Sequence, residues 1–410
     1  MKIWFLSIFE NTPLDDNKNT RYNSLVEEAT RRGHQVVYWA STFRHNVKKQ
    51  RYDGYHVEQI NDQVEVQFVP AKAYQNNISP QRLFSHLSLG KQMIEAFDEQ
   101  AEKPAVLVVA FPPISTAFYA IQWAKKNKIP VVIDIIDPWP DAFTEHSHGL
   151  KKKVINAFLS PLRMRTQQVF QQASMVTAIS NQYLNWAKTY APISKTACYY
   201  PAIQLDEMDR QLQLAAQSVQ KPTAFQVIYA GSLGFSYDIP TILKAAELLE
   251  KTHPKVIFAI AGDGPQKELV EQYVQKHDNL VYHGRLSKDK LMEEYFKSSI
   301  GLTQHIKGAT QSVTYKLFDL LGAGLPIINS LESEMKNIIL DHEVGFHNNP
   351  GDAQALAQYI VQCAEDEVLM HKMKNNARAL TVASGDSKSV YARALNDIES
   401  LIKKGHDSSN

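Results

Sequence analysis

At 410 residues the chain is too long for one ordinary hydrophobic core, so two domains of about 200 residues each are expected. Apolar residues make up 44% and charged residues 21%, as in a soluble globular protein, and 44 basic against 43 acidic side chains leave a net charge of +1, so the overall charge says nothing about a polyanionic partner, which must be read from local clusters. Cys198 and Cys363 are far apart and in no metal-type spacing, which excludes a disulfide framework and points to a reducing compartment.

The first apolar run, MKIWFLSIF, is short, lacks a small-residue cleavage site and runs into ENTPLDD, so it reads as a buried strand and not as a signal peptide. No run approaches the roughly 18 to 20 apolar residues a spanning helix needs. A helix from about Tyr22 to Arg32 ends at Gly33 and leads into HQVVYWA; AVLVVAF then precedes a helix through Ile121, Gln122 and Trp123, and VVIDII follows Ile129-Pro130. Continuous apolar strands separated by helices imply a parallel sheet covered on both faces, a doubly wound domain over residues 1–200. After VVIDII comes Asp137-Pro138-Trp139-Pro140-Asp141, in which Asp137 could meet a hydroxyl and Trp139 could stack on a ring or pack beside the proline turn. His146 and His148 read as solvated loop residues.

The stretch Leu150 to Ala173 carries five basic side chains and no acid, and Leu150, Val154, Ile155, Phe158 and Leu159 recur at helical spacing. Ser160-Pro161 reads as a cap and first position of a new helix. Such a basic amphipathic segment either lies on an anionic bilayer, where the run Arg44, Lys48, Lys49 and Arg51 could join it, or packs its apolar stripe on the sheet. Residues 193–223, polar and irregular at both ends with Pro201 and Pro222, are the expected linker.

Beyond it the alternation restarts. FQVIYAGSLG, KVIFAIAGDGP, LVYHGRL, IGLTQH and PIINS are strands separated by helices through ILKAAELLE, ELVEQYVQ and KLMEEYFKS, giving a second parallel α/β domain over 201–385. Residues 386–410 form a final helix, with the option of crossing back to the first domain, and KKGHDSSN a frayed tail. Ligands of open parallel sheets bind beyond the carboxyl ends of the strands. Two such loops hold glycines, Gly231-Ser232-Leu233-Gly234 and Gly262-Asp263-Gly264, and either could cradle a phosphate or be only a tight turn. No G-x-G-x-x-G follows the first strand and no Walker-type loop exists, which argues against a nicotinamide-dependent oxidoreductase and a P-loop NTPase.

The segment QSVTYKLFDLLGAGLPIINS, from Gln311 to Ser330, follows IGLTQH. With a helix starting near Ser312, Val313, Leu317, Leu320 and Leu321 share one side, and Tyr315 and Asp319 the other. Its first turn offers free amides and the hydroxyls of Ser312 and Thr314; Lys316 could neutralise a diphosphate, and Asp319 could accept two ribose hydroxyls. The alternative is a surface pair of Lys316 and Asp319.

Taken in order, VIYAGSLG, IAGDGPQKELV, NLVYHGRLSKDKLMEEYFKSSIGL, YKLFDLLGAGLPIINS and HEVGF resemble the nucleotide-binding domain of retaining glycosyltransferases of family 4. In the first half, GHQVVYWA and VVIDIIDPWPDAF resemble the acceptor domain of members that build bacterial surface polysaccharides. The resemblance implies the GT-B fold, two Rossmann-like doubly wound parallel-sheet domains facing a cleft. It also implies transfer of a sugar, with retention, from a nucleotide diphosphate sugar, a UDP-sugar by expectation, to a lipid-linked or glycan acceptor.

It assigns Gly231, Ser232, Leu233, Gly262, Arg285, Leu286, Ser312, Val313, Thr314, Tyr315 and Asp319 to the donor, and Arg21 and Trp139 to the acceptor. Lys316, Gln311 and Asp137 are the expected catalytic residues, with no metal and no other cofactor. Two departures stand out. The family's two glutamates, the first beside the donor sugar and the second at the ribose, are here Gln311 and Asp319, and its lysine after the first glycine loop is replaced by Ser236-Tyr237-Asp238. The expected setting is cytoplasmic and peripheral on the inner face of the membrane, through residues 150–173. A GT-B sugar-nucleotide epimerase and a non-catalytic sugar-nucleotide-binding subunit are the alternatives, and no nucleic-acid partner is expected.

Overall fold

The computed structural model describes residues 1–15, 20–77, 79–144 and 149–407, so the expectations for His146 and His148 lie outside the described residues. Two compact units divide the chain: Met1–Tyr200 together with the segment from Lys388 onward, and Pro201–Ser387.

The first unit holds β1 (Lys2–Leu6), β2 (Gln35–Ser41), β3 (Phe43–Arg44), β4 (Lys49–Gln50), β5 (His56–Asn61), β6 (Val64–Val69), β7 (Val106–Phe111), β8 (Val131–Ile135), β9 (Met175–Ala178) and β10 (Thr196–Cys198). Eight of these form one sheet in the order β10-β9-β8-β7-β1-β2-β6-β5, and β3 pairs with β4 in a short hairpin. All neighbours in the large sheet run parallel except β5, which lies antiparallel to β6 at the edge. Ile3, Trp4 and Phe5 have no exposed surface, which is why β1 at the centre of the sheet is apolar without alternation. Trp4 anchors an aromatic core with Trp39, Phe97 and Trp123, at ring separations of 5.1, 5.0 and 5.5 Å.

Three expectations are corrected. The helix Gly149–Gln172 runs through Pro161 without a break. Proline there removes one backbone bond and costs about 3 kcal/mol, but buried Leu159 on one side and Val169 and Phe170 on the other hold both halves to the core. Residues 193–223 are not an irregular linker. They contain β10 and the helix Leu205–Ser218, which buries Leu205, Met208, Gln211 and Ala215 as one stripe of an otherwise polar sequence. Finally, the last helix, Ser387–Asp407, extends into the expected tail. It docks in the first unit: Arg32 Nη1 donates to Asn396 Oδ1 at 2.6 Å, His34 Nε2 lies 2.8 Å from Glu399 Oε1, and Tyr199 donates its hydroxyl to Asp397.

The second unit holds β11 (Phe225–Ala230), β12 (Val256–Ala261), β13 (Leu280–Gly284), β14 (Ile300–Thr303), β15 (Ile327–Asn329) and β16 (Gly345–His347). They form one all-parallel sheet in the order β13-β12-β11-β14-β15-β16. The chain builds outward from β11 to β13, then returns to β14 on the other side, with Val227 beside Ile300. The loops after β11 and β14 therefore diverge from a topological switch point, where open α/β sheets leave a crevice for a ligand.

Candidate functional site

At that switch point the chain first turns at Gly231, whose φ of +153° disfavours any side chain. A Cβ there would also stand 2.4 Å from Nζ and 2.5 Å from Cε of Lys316, so the missing side chain makes room for the lysine. Gly262, after β12, supports this loop from behind. Its φ is +147°, a Cβ would fall 1.8 Å from the Gly231 carbonyl oxygen, and Gly231 N donates to Ala261 O at 2.9 Å. Ser232 is exposed. Leu233 is corrected: its side chain is wholly buried in the core, its amide donates to Asp263 O at 2.9 Å and its carbonyl accepts from Gln266, so it holds the two loops together and has nothing left for a ligand.

After β14 the helix Tyr315–Gly322 begins behind the N-cap Thr314, three residues later than expected. Ser312 and Val313 precede it as buried loop residues, and Ser312 O accepts from Ser333 Oγ at 2.6 Å. Thr314 Oγ1 lies 3.7 Å from Met335 Sδ, so the cap hydroxyl leaves the helix's first amides to other partners. Leu317, Leu320 and Leu321 are buried, and Tyr315 faces solvent. Among the described residues Lys316 and Asp319 do not form an ion pair. Nζ of Lys316 is buried with no hydrogen-bond partner, 4.2 Å from the ring centre of Tyr229 and 4.4 Å from that of Tyr237. Two aromatic faces stabilise such an ammonium only in part. Burial lowers its pKa to about 7, against the opposing pull of the Asp319 charge. Asp319 is in turn raised to about 6, because desolvation outweighs the pull of Lys316.

Two further buried polar atoms here lack partners, Oε1 of Gln311 and Nε2 of His305. His305 follows β14, is fully buried, and has its pKa lowered to about 4 by burial and then by the Lys316 charge. Buried polar atoms are nearly always paired in a complete structure. An ammonium, an amide oxygen and one ring nitrogen of a neutral imidazole, each without a partner, in one loop-and-helix element mark where a polar ligand would complete the protein. His305 and Tyr229 were not singled out in the sequence, and Tyr237 only as part of the segment that replaces the family's lysine. For His305 and Tyr229 the signal available was their place at or just past the carboxyl ends of the two strands that flank the switch point. Arg285 and Leu286 follow β13; Arg285 is exposed and has no partner among the described residues.

In the first unit, Asp137 and Trp139 follow β8. Desolvation pushes Asp137 up to about 6, with Arg82 pulling the other way, which leaves the carboxylate largely ionised at neutral pH. Trp139 is half-buried, with the Arg82 guanidinium 4.6 Å from its ring centre. Arg21 is corrected. It is 2% exposed, clasps Asp134 through Nε and Nη2 at 2.7 and 2.8 Å, and donates Nη1 to Tyr199 O at 2.7 Å, so it is a structural residue of the core.

Comparisons with known proteins bear on both units. The family description "Glycosyl transferases group 1" matches residues 211–380, and "Glycosyl transferase 4-like domain" matches residues 19–192. Glycogen synthase of Mycobacterium tuberculosis is 22% identical over 188 residues, which is 44% of this chain and 43% of that protein. The match thus spans less than half the length of that relative. Sucrose-phosphate synthase from Thermosynechococcus elongatus superposes with a TM-score of 0.71 at 15% identity, over 98% of this chain and 99% of the other. Anabaena HepE in complex with UDP-glucose gives a TM-score of 0.66 at 15% identity, over 98% and 100%. WaaG, a glycosyltransferase involved in lipopolysaccharide biosynthesis, gives 0.63 at 13% identity, over 96% and 98%.

Proposed function

Because the chain belongs to the glycosyltransferases of the GT-B fold, we propose that it moves a sugar, with retention of configuration, from a nucleotide diphosphate sugar to a glycan or lipid-linked acceptor of a cell-surface polysaccharide. The observation that carries this reading is the unpartnered ammonium of Lys316, held between Tyr229 and Tyr237 against Gly231 at the switch point of the second sheet. A diphosphate there would supply the missing anion. As the sugar bond breaks, charge grows on the leaving phosphate, and Lys316 and the first amides of the helix Tyr315–Gly322 gain strength with it. Asp319 would accept the two ribose hydroxyls. Gln311 offers a carbonyl oxygen to the sugar and no charge, so it orients a hydroxyl and leaves charge stabilisation to Lys316.

A uridine donor is supported by the Anabaena relative solved with UDP-glucose, and a surface glycan by WaaG. Membrane association is supported by the helix Gly149–Gln172, on which Val154, Phe158 and Met164 are 63%, 71% and 61% exposed, with exposed Lys153 beside them. No described helix is long and apolar enough to cross a membrane.

The test is incubation with UDP-, GDP- and TDP-sugars with and without a membrane extract, following nucleotide diphosphate release. The proposal expects release that depends on the extract; epimerised sugar nucleotide formed without an acceptor would overturn it.

A further inference from the structure

Away from Lys316, the first unit gathers a second group of cations at the carboxyl ends of its strands. His45 and Lys48 lie on the turn between β3 and β4, and Arg82 and His86 stand one turn apart on the helix Pro80–Asp98. Lys48 Nζ is 2.6 Å from Asn77 Oδ1 and 3.2 Å from His45 Nδ1, while Arg82 donates Nη1 to Asn77 O at 2.5 Å. Both cations also stand over the Tyr74 ring, at 4.8 and 5.7 Å. Among the described residues no carboxylate lies within ion-pair distance of either; Asp137 reaches Arg82 only through its longer-range field.

Arg82 is 8% exposed and its Nε has no partner; His86 is 6% exposed and its Nε2 has none. Burial, then the charges of Lys48 and Arg82, lower His45 to about 4, and burial, then Arg82, lowers His86 to about 3, so at neutral pH the positive charge is that of Lys48 and Arg82.

Packing alone is a poor account of this cluster. The aromatic contacts of Arg82 with Trp139 and Phe9, at 4.6 and 5.2 Å, stabilise its guanidinium only in part and leave its charge without a carboxylate among the described residues. That partner is what an incoming anion would supply. Guanidinium and ammonium together suit a phosphoryl group, the fork giving direction and the lysine a point charge. Phe9 and Trp139, both half-buried beside them, offer ring faces to an attached sugar.

We propose that Lys48 and Arg82, walled by Phe9, Tyr74 and Trp139, bind the phosphoryl group of a phosphorylated sugar that serves as acceptor. This rests on the transferase reading only for the word acceptor; the anion site stands on the geometry alone.

The probe is inorganic pyrophosphate, titrated calorimetrically into the full chain carrying Lys316→Gln, which removes the cation of the other site. Binding is expected to persist there and to weaken at least tenfold when Lys48→Gln or Arg82→Gln is added. Lys48 is half-exposed on a turn, so its variant is informative even if the Arg82 variant fails to fold. Absence of binding in Lys316→Gln, or binding indifferent to Lys48→Gln, overturns the proposal. Competition separates the sources of the phosphoryl group: displacement by a free hexose phosphate identifies a soluble acceptor, and displacement by a short-chain polyprenyl diphosphate sugar in micelles identifies a lipid-linked one. Displacement by neither overturns the assignment to an acceptor. Nucleotide-sugar binding by the unmodified chain is measured alongside. Its failure with pyrophosphate binding intact would retire the transferase reading and keep this site, and the reverse result would retire only the site.

Discussion

A methyl group added at residue 231 reports on the lysine that it would touch. In Gly231→Ala the new Cβ would sit 2.4 Å from Lys316 Nζ. Carbon contacts settle near about 3.5 Å, so the ammonium must withdraw by about 1 Å. A hydrogen bond from a charged donor carries about 1.5–3 kcal/mol, so losing its alignment should lower donor kcat/KM by roughly 10- to 150-fold. The left-handed backbone at Gly231 adds about 1–3 kcal/mol of strain, which a melting curve detects separately from the kinetic effect. The assay is a double-mutant cycle on nucleotide diphosphate release with Gly231→Ala, Lys316→Gln and both. If alanine acts through the lysine, the double variant is no slower than Lys316→Gln alone. Multiplying losses, or a Gly231→Ala protein with full kcat/KM, would refute the reasoning.

Three further outcomes are expected. Donor binding needs Lys316 protonated and Asp319 ionised, so affinity should strengthen as pH rises through about 6 and weaken as it rises through about 7; a nucleotide diphosphate titration across pH checks this, and Lys316→Gln should lose the alkaline limb. Arg21→Gln strands the buried Asp134 carboxylate and should cost about 3–5 kcal/mol of stability, while the folded fraction keeps its acceptor KM; a raised acceptor KM at unchanged stability would restore Arg21 to the acceptor. Replacing Val154 and Phe158 together by serine should reduce partition onto anionic vesicles at least tenfold, since each apolar side chain contributes about 1.5–3 kcal/mol when buried; cosedimentation unchanged by the pair would favour internal uses of that helix.

The strands that build the two sheets were legible because parallel strands buried on both faces must be continuously apolar, as in KIWFL and VIFAIA. The edge hairpin of β5 and β6 was not, because one face of β5 meets water and the polar residues of HVEQIN hide its strand character. Helix Leu205–Ser218 escaped notice for a related reason: four buried positions in fourteen residues leave a mostly polar sequence. In the site, the glycine loops and the stretch from Gln311 to Asp319 announced themselves through spacing. The sequence could not say that Lys316 reaches back to Gly231, because that contact joins residues 85 positions apart. The same holds for Lys48, Arg82 and Trp139, which only the crossing of several strands brings together. Arg21 misled for the opposite reason. The family resemblance assigned it to the acceptor, and only its buried partner, Asp134 on β8, shows that its charge is already spoken for.

The central claim is that the buried ammonium of Lys316 waits for the diphosphate of a sugar nucleotide. Calorimetric titration of UDP, GDP and TDP into the unmodified chain and into Lys316→Gln tests it most directly. One of the three should bind, and the substitution should weaken that binding by tenfold or more while the melting temperature holds or rises, since an unpaired buried charge has been removed. A nucleotide diphosphate that binds both proteins equally well would contradict it.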